Sequence, residues 1–154
     1  MTFATANRKH FLETMTPEQR EERYARNPNA ERRAIQRDCI EHGLDAPRVG
    51  TVVKQYDEAF ADMERQLDDM KWLSGCDFGL ADICMIPYVN RLSLIAMDSL
   101  WTRNRPNVTD WFERVMARPS FQKAVTRWMT DDDHDRFVVP RDEVEGKPWE
   151  VLAV

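Results

Sequence analysis

Residues 72–90 read "WLSGCDFGLADICMIPYVN", and the part played by "GLAD" within that stretch decides the fold. With Gly79 as N-cap, Asp82 falls at the third helical position. There a carboxylate accepts the free backbone N–H groups of a helix start and complements its positive end. Leu80, Ile83, Ile86 and Val89 place apolar surface on more than one side of the helix, as expected of a central element. A buried helix start takes no capping from water, so it needs a carboxylate of its own. Pro87 stands about two turns in, where it removes one internal hydrogen bond and introduces a bend. The stretch predicts a buried, capped, kinked core helix from Leu80 to about Ile95.

The flanking segments read as helices too. Val49, Val53, Tyr56, Phe60, Met63, Leu67 and Met70 step by four and three, with Lys54, Asp57, Glu58, Asp62, Glu64 and Asp68 between them. That is one apolar stripe on a long helix entered at Pro47. Upstream, "TPEQ" at 16–19 is a capping-box pattern, and Asn27-Pro28 stops the short helix it opens. Asn29 caps a further helix ending near Gly43, a natural left-handed C-terminal residue. Phe3, Asn7, His10, Phe11 and Thr14 mark a helix at the start. Downstream, "RPNVTDWFERVMARPSF" predicts a helix from about Pro106 to Ala117, and Pro119 opens a short one toward Trp128. From Thr130 the chain is acidic, proline-punctuated and aperiodic. The reading is an all-α helical bundle over 1–129, with a tail over 130–154 that packs on it through Phe137, Val138, Trp149 and Leu152.

Composition excludes several classes of function. The 154 residues are 42% hydrophobic, enough for a packed core. Twenty-two basic against 27 acidic residues give a net charge of -5, which repels a phosphate backbone and argues against a nucleic-acid partner. No apolar run approaches the ~20 residues of a spanning helix, so no membrane is expected. Cys39, Cys76 and Cys84 are odd in number and form no CxxC pair. They point to a reducing, cytoplasmic setting.

The segment from Trp72 to Phe121 resembles the C-terminal, all-helical domain of the glutathione S-transferase family. The features that carry the resemblance are "WLSG", the aromatic Phe78, "LAD" opening the core helix, "PYVNRL" within it, and "RPNVTDWFERVMARPSF" after it. It extends more weakly through "RRAIQRDCIEHGLDAP". The family's usual N-cap is Ser or Thr. Gly79 lacks that side chain, which leaves Asp82 to act alone as the structural cap. The family's glutathione site and its activating Tyr, Ser or Cys lie on an N-terminal thioredoxin-like domain, for which the chain shows no βαβ pattern. The resemblance therefore implies no catalytic residue and no cofactor in this chain, since glutathione would require that other domain. "TFATANRKHF" resembles the later part of the family's first helix, which is expected to be truncated here. That helix and the core helix flank the family's cleft for a hydrophobic co-substrate, so Phe3, Asn7, Phe11 and Arg91 become the candidate substrate-binding residues. For Phe3 and Phe11, a helix-packing surface is the competing reading.

Three roles remain open. The chain is the electrophile-binding half of a glutathione transferase, a stand-alone helical module for protein contacts, or a remnant that folds without function. The expected partners are a second copy of the chain or a thioredoxin-like domain. "DDDHD" at 131–135 gathers metal-ligating types, but consecutive residues rarely converge on one ion, and a solvated loop is the ordinary reading. His10 and His42 have no partner at ligand spacing, and no metal is expected. Cys76 reads as an ordinary free thiol.

Overall fold

A computed structural model describes residues 1–141 and 144. Among them run nine α-helices: α1 (Ala6–Thr14), α2 (Pro17–Ala25), α3 (Ala30–His42), α4 (Pro47–Asp69), α5 (Leu80–Leu94), α6 (Ser99–Thr102), α7 (Pro106–Met116), α8 (Pro119–Ala124) and α9 (Asp131–Phe137). Short 3-10 turns occupy Gly43–Asp45 and Thr126–Trp128. The described residues hold no strand beyond an isolated bridge between Trp72 and Gly75. None of their helices is long and apolar enough to cross a membrane.

The punctuation works as the residue types dictate. Thr16 accepts from the Gln19 amide at 3.3 Å, while the Gln19 side chain accepts from the Thr16 amide at 2.9 Å. Asn29 accepts from the Arg32 amide at 2.8 Å. Gly43 ends α3 at φ 61, a left-handed conformation in which a Cβ would also crowd Arg8 at 3.1 Å. The first helix starts at Ala6 rather than Phe3, after a turn closed by Ala4 N–H on the Met1 carbonyl and Asn7 N–H on the Thr2 carbonyl.

The core is assembled from α4, α5, α6 and α7. The α4 stripe buries Val49, Val53, Phe60, Met63 and Leu67, and Phe60 meets Trp101 of α6 with ring centroids 5.2 Å apart. Trp111 and Val115 of α7 pack into the same cluster with Val89 and Leu92 of α5. A smaller cluster of Phe11, Tyr24 and Ile40 ties α1, α2 and α3 together.

The central helix departs from expectation. It runs unbroken through Pro87 and buries Ile86, Val89 and Leu92, but Leu80 is 78% exposed, Ile83 51% and Tyr88 57%. All-round apolarity shows that a helix favours cover on every side, yet it does not say that this chain supplies all of that cover. Here α5 has one buried face and one bare one. Pro87 and Ile83 both lie on the bare face. The Ile83 carbonyl, which has no N–H to accept from Pro87, is thereby on the side open to water, and the cost of the missing bond falls.

The segment after Thr130 also differs from the aperiodic tail that its composition predicts. Residues 131–137 form α9. The Thr130 hydroxyl accepts from the Asp133 amide at 3.2 Å, and the Asp133 carboxylate accepts from the Thr130 amide at 3.1 Å. "DDDHD" is thus a capped first turn with three acids at the positive helix end, not a loop. Phe137 packs against the main core, Val139 is buried, and Val139 N–H donates to the Leu94 carbonyl at 2.9 Å. Val138 stays exposed. Trp149 and Leu152 lie outside the described residues.

Candidate functional site

Asp82 is completely buried, and its carboxylate gathers three donors. One oxygen accepts from Leu73 N–H at 3.1 Å and from the Trp111 indole N–H at 2.7 Å, and the other accepts from Gly79 N–H at 2.9 Å. A single side chain therefore caps α5, fixes the turn before it and holds the central tryptophan of α7. Its two oxygens are thus engaged by three fixed donors. The donor from Trp111 is the contact that sequence reading missed. Its one signal was an indole N–H in an apolar run, which needs an acceptor wherever it is buried.

The candidate substrate residues separate into two places. Phe11 is 2% exposed and packs edge-on against Phe3, with centroids 6.4 Å apart and Phe3 39% exposed. The Arg23 guanidinium lies 5.2 Å from the Phe11 ring centroid. Phe11 thus acts as a packing residue between α1, α2 and α3. Asn7 is half-buried, with its side-chain oxygen shielded and unbonded among the described residues. Arg91 lies elsewhere, on α5, with its guanidinium 4.9 Å from the Phe137 ring. The chain's own α9 therefore covers the arginine.

Two clefts border α1. One of about 500 Å³ lies between Arg8, Lys9 and Leu12 of α1 and the His42–Leu44 turn, with Val139 at its side. The other, of about 260 Å³, separates Lys9, His10 and Glu13 from Asp132, Asp135 and Arg136. None of the four candidate residues lines either cleft. A third cleft, of about 260 Å³, is walled by Asp68, Asp69, Lys71, Asp110 and Arg114. All three are strongly charged. His42 pairs with Asp38 one turn away at 2.9 Å, and His10 sits beside the Phe11 ring. Among the described residues no three His, Cys, Asp or Glu side chains are placed to share a metal ion. Cys39 is buried, which pushes its thiol pKa up, whereas Cys76 and Cys84 are exposed; all three are free thiols.

The sequence model of the glutathione S-transferase C-terminal domain matches residues 16–119. The chain belongs to this family. Arg91 and the Asp82 cap lie inside the matched region, while Phe3, Asn7 and Phe11 precede it. Among relatives, glutathione S-transferase GstB of Escherichia coli K12 is 32% identical over 81 residues, covering 53% of this chain and 38% of the relative. Glutathione S-transferase TCHQD of Arabidopsis thaliana is 31% identical over 67 residues, covering 44% and 25% respectively. The tetrachloro-p-hydroquinone reductive dehalogenase of Sphingobium chlorophenolicum is 27% identical over 88 residues, covering 55% and 35%. The chain thus spans well under half the length of these curated relatives. No solved structure matches it significantly.

Proposed function

We propose that this chain is the electrophile-binding helical half of a glutathione transferase, competent for conjugation only together with a thioredoxin-like half that holds glutathione. The observation that carries the reading is the bare stripe of α5. Leu80, Ile83, Cys84, Pro87 and Tyr88 recur at helical spacing and are all exposed, on the helix whose opposite face is the core of the domain. A contiguous apolar face on a central helix is what one half of an interface leaves behind when its counterpart is removed. Glutathione S-transferases among the relatives support the pairing with a glutathione-binding half. The electrophile is read only as a hydrophobic small molecule, because the relatives' names span a transferase and a reductive dehalogenase. Three free thiols favour a reducing, cytoplasmic setting. The same stripe would serve a stand-alone protein-interaction module.

The test is a glutathione conjugation assay with chlorodinitrobenzene. The chain alone is expected to give the background rate, because none of its described residues matches a thiol-activating group. Glutathione-dependent turnover by this chain that a point substitution within it abolishes would overturn the proposal. A thioredoxin-like domain that binds the chain, and is released by Ile83→Lys, would favour the transferase half over the interaction module.

A further inference from the structure

A fourth cavity, of about 250 Å³, lies between α5, the last turn of α7, α8 and α9. It differs in kind from the three charged clefts, since no Lys, Arg, Asp or Glu lines it. Its walls are Leu94, Met116, Phe121 and Met129, and its polar groups include Asn90 and His134. Phe121 is buried and the two methionines are half-buried. Unbranched thioethers on facing walls let such a cavity adapt to a guest.

Asn90 is the residue without a structural reason. Asparagine is a poor helix former, yet it stands in the interior of α5, half-buried beside Leu94 and Phe121. Its carboxamide makes no hydrogen bond with any described residue, and neither does the His134 ring. Half-buried and unpaired within the described residues, the amide is left to water or to a guest for its hydrogen bonds. His134, from the "DDDHD" segment, reaches the same cavity because α9 is helical.

The geometry points to a binding site for a small uncharged aromatic molecule carrying one hydroxyl, of the phenol class, with its ring among Met116, Phe121 and Met129 and its hydroxyl on Asn90. Size sets the ring count: a dry cavity of about 150 Å³ takes up benzene, and drug-sized ligands need about 300 Å³ or more. Apart from the His134 imidazole the lining carries no ionisable side chain, so wherever that ring is neutral an ionised guest would be desolvated with no counter-ion to meet it. The site lies on the same side of α5 as the bare stripe, because Asn90 and Leu94 follow Ile83 and Pro87 at helical spacing, but at the end of the helix that α8 and α9 cover, and its test does not depend on the transferase reading.

Phenol, toluene and benzoate are titrated separately into the full chain carrying methyl-labelled methionine, with binding read by NMR. Phenol is expected to give saturable shifts at the Met116 and Met129 methyls, and benzoate none. Asn90→Leu is expected to weaken phenol about fivefold, the equivalent of one net hydrogen bond, without weakening toluene. Met129→Trp, which fills the cavity, is expected to remove both responses while the melting temperature holds. If that variant fails to fold, Asn90→Leu decides the matter alone. Absence of saturable shifts at Met116 and Met129, benzoate binding as tightly as phenol, or an unchanged phenol-to-toluene ratio in Asn90→Leu would each overturn the assignment.

Discussion

Asp82 concentrates at one carboxylate what most helix caps leave to two or three residues. Replacing it with asparagine keeps the shape but removes the charge and turns one acceptor into an NH2 group facing a backbone or indole N–H. Hydrogen bonds to a charged group contribute about 1.5–3 kcal/mol, and a buried unpaired donor costs about as much. Asp82→Asn is therefore expected to destabilise by about 2–3 kcal/mol, seen as a drop in melting temperature; an unchanged value would remove Asp82 from its place at the centre of the fold. The cysteines give a second residue-scale expectation. Burial shields Cys39 and raises its thiol pKa, while Cys76 and Cys84 are exposed. Titration of the native chain with a thiol reagent at neutral pH should modify two cysteines quickly and the third only on unfolding. Rapid reaction of Cys39 would contradict its packing.

Between elements, the caps divide into those legible along the chain and those that are not. Thr16, Asn29 and Asp82 announced themselves because each acts within three residues. The start of α7 did not, since its N-cap, Arg105, offers no acceptor. The acceptor comes from α4, where Glu64 takes the Asn107 amide at 3.1 Å and the Val108 amide at 2.9 Å. Local pattern carries no trace of a partner more than forty residues away in sequence. Glu64→Ala should then cost about 1 kcal/mol, the usual value of a lost cap, and loosen α7 rather than α4 in hydrogen exchange. For α9 the missed signal was local and visible, "TDDD" being a capping pattern masked by its run of charge. Bonds from the Thr130 hydroxyl and amide hold the Asp133 carboxyl below its ordinary value of 3.8. A depressed carboxyl adds stability that is present above the unfolded-state pKa and is lost as pH falls through the folded one, so α9 should hold at neutral pH and fray below about pH 3.8. By NMR titration, Thr130→Ala should move the Asp133 midpoint upward; an unmoved midpoint would mean that the hydroxyl bond is not made in solution. The candidate site was less legible than the fold, because side-chain identity does not say which neighbour arrives: Phe11 was taken up by Tyr24 and Ile40, and Arg91 by Phe137.

At the scale of the whole molecule, hydrophobic patterning foretold how much apolar surface the chain needs to bury, but not how much of that need it meets itself. The four-and-three stripe of α4 is buried at Val49, Val53, Phe60, Met63 and Leu67, chiefly against α6 and α7, and only Met70 at its end is exposed, whereas α5 keeps a second stripe bare. Phe3 and Leu12 of the first segment are exposed as well, as is Trp128 after α8. Single exposed apolar side chains are ordinary, but Leu80, Ile83 and Tyr88 lie in one row, and soluble monomers rarely leave such rows open to water. In a solution of residues 1–154 alone a second copy can supply that cover, and two α5 stripes meeting about a twofold axis would bury each other. The isolated chain is therefore expected to self-associate. Light scattering across a dilution series should show a mass that rises with concentration toward the dimer, and Ile83→Lys should return it to the monomer without lowering the melting temperature, because Ile83 faces solvent in the single chain. A monomeric mass at the highest concentration would show that the stripe tolerates water. A dimer indifferent to Ile83→Lys would move the contact away from α5, to the edge formed by Phe3 and Leu12, where Leu12→Lys makes the same test.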